Sequence, residues 1–233
     1  MYDLPGYSAE TDALWALIRD ALLREGVDAP ADLSRSGDEQ ELWTRPDLVV
    51  SQTCGLPLVT GLAGDATVLG AFDFGLPGCA AGFYASVIVA LSEDALRAER
   101  PSYAFNMKGS QSGYAALKRW RADRLGVGVE TGSHMASARL VAQGGADIAA
   151  LDAMSWRLIQ HLDQEVSPLR VVHQTEPTPG LPLITAQDRD PAPFRRALDA
   201  AAAAYAQGEN RLGIRGFVPF DRSDYEAAIF PVD

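Results

Sequence analysis

One pattern constrains this chain more than any other. A short apolar run, a turn of Ser, Thr and Gly, and a stretch at helical spacing follow one another repeatedly. Leu48-Val49-Val50 leads into Ser51-Gln52-Thr53-Cys54-Gly55. Residues 103–105 lead into Gly109-Ser110-Gln111-Ser112-Gly113, which opens a helical pattern over 111–124 with Leu117 and Trp120 inward. Residues 127–129 lead into Thr131-Gly132-Ser133-His134 and a helical pattern over 135–142, closed by Gly144-Gly145. Residues 148–151 end on Asp152 and precede a helical stretch over 153–162. Further extended runs fall at 68–72, 83–91, 169–172 and 183–185. The first helix carries Leu14, Leu17, Ile18, Ala21 and Leu22 on one stripe, with Ser8 placed to cap it, and the Ala-rich last helix spans 191–206. Such alternation predicts α/β layers with mostly parallel sheets.

Composition narrows the function. The chain has 233 residues and a net charge of -11. A sequence-independent nucleic-acid binder needs a basic surface, so that class is excluded. No apolar run approaches the roughly 18 residues needed to cross a bilayer. The N-terminus shows no basic segment followed by an apolar core, so no signal peptide is expected in this chain. Cys54 and Cys79 permit one disulfide. They form no C-x-x-C pair, no His lies at zinc-finger spacing from either, and His134, His161 and His173 are scattered. No metal and no cofactor are therefore expected.

The turns carry the chemistry. Gly109-Ser110-Gln111-Ser112-Gly113 superficially resembles a nucleophile elbow, but Gln111 stands where that motif needs Ser. Two readings remain: an anion seat at a helix N-terminus, built from unpaired N–H groups and flanking hydroxyls, or plain capping by Ser110. Thr131-Gly132-Ser133-His134 repeats both readings. Gly126-Val127-Gly128 lacks the third glycine of a dinucleotide fingerprint and lies inside a strand pattern, so it is set aside. Asp152, at the C-terminal end of a strand, sits either where open sheets bind ligands or as the cap of the next helix. Trp156 reads as core. Three such turns at strand ends point towards one cleft.

Here the chain resembles the substrate-binding proteins of phosphate/phosphonate ABC transporters, in the type II periplasmic-binding-protein superfamily. The resemblance rests on Asp47-Leu-Val-Val-Ser-Gln-Thr-Cys-Gly55, Tyr84-Ala-Ser-Val-Ile-Val89, Ala104-Phe-Asn-Met-Lys-Gly-Ser-Gln-Ser-Gly-Tyr114, Thr131-Gly-Ser-His134, Ala146-Asp-Ile-Ala-Ala-Leu-Asp152 and Thr175-Glu-Pro-Thr-Pro-Gly-Leu-Pro182. It implies two α/β lobes joined by two crossover strands, near 83–86 and 174–179. One lobe is then 1–83 plus 177–233 and the other 84–176. It also implies a ligand between the lobes, closure of the lobes on that ligand, and delivery to an ABC permease. Ser110, Gln111, Ser112 and Gly113 match the position that seats a phosphate or phosphonate. Ser133 and His134 match an oxyanion contact, Tyr84 an aromatic ligand contact, and Thr53 a first-lobe contact. Asp152 matches a position that receives a ligand's amino group or hydroxyl.

Exported members begin with a signal peptide, so a periplasmic location is implied by the resemblance alone. The chain also starts at Met1-Tyr2-Asp3-Leu4-Pro5, about where the first strand of the fold should be ending. The leading expectation is a binding protein for a small oxyanion, with no catalysis. The rival is a cytoplasmic enzyme or sensor on the same fold, with Ser133, His134 and Asp152 as an acid/base set.

Overall fold

Helix α1 (Ser8–Arg24) shows how the chain begins to bury itself in the computed structural model, which describes residues 2–62 and 64–229. Leu14, Trp15, Ile18, Ala21 and Leu22 recur every three or four residues and are all buried. Tyr7, not Ser8, is the N-cap, and it makes no side-chain capping bond. The remaining elements, in chain order, are α2 (Glu39–Trp43), β1 (Ser51–Gln52), α3 (Gly55–Thr60), β2 (Ala66–Asp73), β3 (Phe83–Tyr84) and β4 (Ser86–Ala90). Then come β5 (Tyr103–Phe105), a π-helical turn (Gln111–Ala115) continuing into α4 (Ala116–Arg121), β6 (Gly128–Glu130), α5 (His134–Ala142), β7 (Ile148–Asp152) and α6 (Ala153–Leu162). The last are β8 (Arg170–Gln174), β9 (Thr178–Pro179), β10 (Leu183–Ala186), α7 (Pro191–Gln207), β11 (Gly216–Val218) and α8 (Arg222–Ala228).

The chain forms two compact units. The first takes residues up to Phe83 and resumes at Pro179; the second is Tyr84–Thr178. The chain passes from one to the other within β3 and β9, which pair as a two-stranded ribbon.

In the first unit the sheet order is β1-β10-β2-β11, and every pairing is antiparallel. Helices α1 and α7 pack together. Helix α7 is capped by Asp190, whose carboxylate accepts from the Ala192 N–H at 3.0 Å. Its buried face is Phe194, Ala197, Leu198, Ala201, Ala202 and Tyr205. Small alanines on that face let the helix axes approach closely.

In the second unit the order is β6-β5-β7-β4-β8. Strands β6, β5 and β7 run parallel, each linked to the next by a helix. Strands β4 and β8 are antiparallel to their neighbours. All five residues of β4 and of β7 are buried, as expected for central strands covered on both faces. Ile88, Phe105, Leu117, Leu125 and Ile148 fill the core beside them.

The α/β architecture of the sequence reading is present, but mostly parallel sheets are not. Strand direction depends on where the chain enters a sheet. β4 and β8 are the strands by which it enters and leaves the second unit, so they pair antiparallel instead of joining the βα series. Cys54 and Cys79, which the sequence permits to pair, are part-buried and not joined in a disulfide. Strand β10 lies between β1 and β2. Sequence spacing marked 183–185 as extended but not its place between β1 and β2, and it showed none of α2, α3, β11 and α8.

Candidate functional site

The site grows from the end of β5. After Phe105 the chain turns, and Ser110 takes an extended backbone as N-cap of the helix that follows. Its hydroxyl accepts from the Gly113 N–H at 3.0 Å. The first turn is π-helical: the Ala115 N–H reaches back five residues to the Ser110 carbonyl at 3.0 Å. Single π turns widen a helix and recur where a helix serves a function. The first N–H groups of any helix lack intrahelical acceptors. Here the Ser110 hydroxyl takes that of Gly113, and the Ser112 N–H lies one position earlier. Ser110, Gln111 and Ser112 are all buried, and the turn packs on β7.

His134 joins this turn from α5. Its Nε2 lies 3.2 Å from the Ser112 hydroxyl oxygen. Its Nδ1 is enclosed and has no hydrogen-bond partner. Burial pushes the imidazole down to about 4, so the ring is neutral at pH 7. Of the two neutral tautomers, one leaves Ser112 able to donate elsewhere. With the proton on Nε2, the ring donates to Ser112 Oγ, and the hydroxyl proton can turn to a ligand. With the proton on Nδ1, Ser112 must spend its single proton on the ring.

Gly113 is required by packing. A Cβ there would collide with the Asn106 carboxamide and press on the His134 ring. Asn106 itself was missed. It follows β5 directly, and its carbonyl accepts from the Gly132 N–H at 2.9 Å. Its Oδ1 is buried without a partner. Its place at a strand's C-terminal end, three residues before Gly109, was the signal available.

The other predicted residues separate. Ser133 is exposed and caps α5, its hydroxyl accepting from the Ala136 N–H at 3.1 Å. Asp152 is buried and caps α6, accepting from the Ser155 N–H at 2.8 Å. Its strand neighbour is Ser86, two residues beyond the buried Tyr84. Trp156 is core, and Lys108 is exposed. Thr53 belongs to the first unit. Its N–H donates to the Pro182 carbonyl at 3.0 Å and its hydroxyl to the Cys54 carbonyl at 3.3 Å. Of the acid/base set imagined from Ser133, His134 and Asp152, Ser133 accepts from the Ala136 N–H, His134 Nε2 lies beside the Ser112 hydroxyl and Asp152 accepts from the Ser155 N–H.

A cavity of about 710 Å³ lies in the first unit beside β1, with Trp15, Ile18, Trp43, Val50, Gln52 and Leu183 among its walls. None of the predicted ligand residues lines it. Among the described residues no cluster of three or more His, Cys, Asp or Glu is arranged to hold a metal ion. No described helix is long and apolar enough to cross a membrane.

A fold of this kind, with a helix start that gathers buried donors, defines a class: the periplasmic binding proteins of type II. Known structures share it. PhnD1 from Prochlorococcus marinus, solved with methylphosphonate, is 16% identical, with 97% of this chain and 92% of that one covered and a TM-score of 0.68. A binding protein component of an ABC phosphonate transporter from Pseudomonas aeruginosa is 14% identical, with 94% and 79% covered and a TM-score of 0.63. A Xanthomonas citri protein bound to ATP is 19% identical, with 92% and 88% covered and a TM-score of 0.63. No curated protein matches the chain by sequence. The profile of the family described as "ABC transporter, phosphonate, periplasmic substrate-binding protein" matches residues 77–225. The chain belongs to that family, a family of substrate-binding transport proteins rather than enzymes.

Proposed function

We propose that this protein captures a small tetrahedral oxyanion, phosphate or phosphonate first, and presents it to an ABC transporter in the periplasm. The observation that carries the reading is the buried start of the 111–121 helix, where His134 Nε2 lies 3.2 Å from Ser112 Oγ. The Ser112 N–H and hydroxyl are donors at the positive end of a helix, and an anion there satisfies groups that the helix leaves without acceptors. No Arg or Lys is required. Neutral His134 fixes the Ser112 hydroxyl; once an anion is near, the adjacent negative charge raises the imidazole's affinity for a proton. Support also comes from the fold neighbours. Two of them were solved with methylphosphonate and with ATP, both bearing phosphorus oxyanions. Gln111 and Gly113 complete the turn, while Ser133 and Asp152 support it by capping α5 and α6.

The test is calorimetric titration of the parent protein and of Ser112→Ala with inorganic phosphate and with methylphosphonate. Binding by the parent and clear weakening in the variant are expected. Equal affinity in both proteins would place the seat elsewhere.

A further inference from the structure

The proposed seat contains an acceptor on Asn106 that does not suit a bare anion. Asn106 Oδ1 is enclosed and makes no hydrogen bond. It lies against the backbone of Gly113, beside the His134 ring, in the space a methyl at position 113 would need. The Ser112 N–H and, in the competent tautomer, the Ser112 hydroxyl are donors, while in that tautomer His134 Nδ1 is a second enclosed acceptor without a partner. A carboxamide oxygen is only an acceptor. A buried acceptor left without a donor carries its whole desolvation cost, so a ligand that supplies a proton to it gains and one that does not loses.

We infer that Asn106 is a specificity-determining residue: its Oδ1 accepts a hydrogen bond from a protonated oxygen of the bound group. The inference rests on the oxyanion reading above. The seat then selects tetrahedral acids that keep one proton near neutrality, such as hydrogen phosphate and hydrogen phosphonates. It rejects sulfates and sulfonates of the same shape, which have none to give. The turn supports this arrangement. The Asn106 carbonyl is tied to the Gly132 N–H at 2.9 Å and the Thr131 N–H to the Phe105 carbonyl at 2.9 Å, so the side chain springs from a braced backbone. Gly113 leaves it room. Sites built to pair a ligand's hydroxyl discriminate strongly against analogues lacking it, because their own polar group is stranded.

The experiment compares methylphosphonate with methylsulfonate at about pH 6, near the second ionisation of a phosphoryl group. Calorimetry is run on the parent, on Asn106→Ala and on Asn106→Asp. The parent should prefer methylphosphonate by at least about tenfold, the size expected for one hydrogen bond to a charged ligand. Asn106→Ala should bring the ratio towards one. Asn106→Asp, an obligatory acceptor of nearly the same shape, should keep or widen the preference. If the parent binds both probes equally, the seat stands and the role of Asn106 falls. If Asn106→Asp loses the preference for methylphosphonate, the side chain was not accepting the ligand's proton, and the inference is wrong. If the parent binds neither probe, the oxyanion reading itself fails, and the inference with it.

Discussion

Two helix starts look alike in the sequence and differ in the structure. Ser51-Gln52-Thr53-Cys54-Gly55 in the first unit and Gly109-Ser110-Gln111-Ser112-Gly113 in the second are both small polar turns that lead from strand to helix. At the first, the fold consumes the polar groups of Thr53, although Gln52 Oε1 is enclosed without a partner. The Thr53 N–H goes to Pro182, its hydroxyl goes to Cys54, and Gly55 is packed by the tip of Ile229. At the second, the Ser110 N–H goes to the Met107 carbonyl at 3.1 Å and the Gly113 N–H to the Ser110 hydroxyl at 3.0 Å. A histidine touches Ser112, and a buried acceptor on Asn106 has no partner. The lesson is that a turn's composition marks a candidate, while the side chains that other elements bring to it, here His134 and Asn106, decide what it can hold.

The sharpest way to break this contrast is to add one methyl to each turn. Gly113→Ala should lower phosphate or methylphosphonate affinity by more than about a hundredfold. The new Cβ must displace Asn106 and His134 together, an overpacking cost of roughly 1–3 kcal/mol on top of lost ligand contacts. Gly55→Ala meets the Ile229 side-chain tip, which can move, so it should lower stability modestly and leave affinity unchanged. Titration and thermal melts of both variants decide it. A Gly113→Ala protein that binds normally would remove the turn from the site.

Next in size is the hydroxyl. Losing a hydrogen bond to a charged group costs roughly 1.5–3 kcal/mol, so Ser112→Ala should weaken binding about ten- to hundredfold. Its melting temperature without ligand should stay close to the parent's. Thr53→Ala, where the hydroxyl serves only a local carbonyl, is the control and should change affinity by much less.

The imidazole gives a pH test. Unfolded histidine takes its proton near 6.5; folded His134 takes it only near 4. Between those values unfolding takes up a proton, so this residue's contribution is present above about 6.5 and lost as pH falls towards 4. The loss should be about 1–3 kcal/mol by denaturant titration, absent from His134→Gln, and smaller under saturating phosphate, because a nearby anion favours the imidazolium. An identical pH dependence in parent and variant would show that His134 is not held neutral by its surroundings.

The smallest effect tests the neighbouring turn. Ser133→Ala removes the cap of α5 and should cost about 1 kcal/mol of stability. Affinity should change by no more than about twofold, since Ser133 is exposed and the imidazole is held from α5 and by Ser112. A tenfold loss of affinity would return Ser133 to the list of ligand contacts.

Much of this was legible in the residues. The runs at 103–105 and 148–151 and the stripe Leu14, Ile18, Leu22 each lie within a strand or helix now observed, because buried strands and amphipathic helices carry their period in the sequence. Ser110 and Ser112 were legible because helix starts demand small polar residues. The direction of β4, the insertion of β10 between β1 and β2, and the open disulfide were not, since pairing partners lie up to about 130 residues apart and leave no local mark. Asn106 was equally silent: an Asn after a strand is an ordinary turn residue until another element closes over its oxygen.

By itself, then, the sequence determined most of the strands and helices, which turns offer donors, and to which family the chain belongs. Those properties follow from side-chain period, capping chemistry and motif spacing, all of them local. Only the tertiary structure decided that Ser133 and Asp152 cap helices, that Gly113 makes room for Asn106 and His134, and that Ser112 meets an imidazole kept neutral by burial. Each of those depends on which groups a distant segment buries or satisfies, and desolvation and hydrogen-bond pairing are set by neighbours in space, not in sequence.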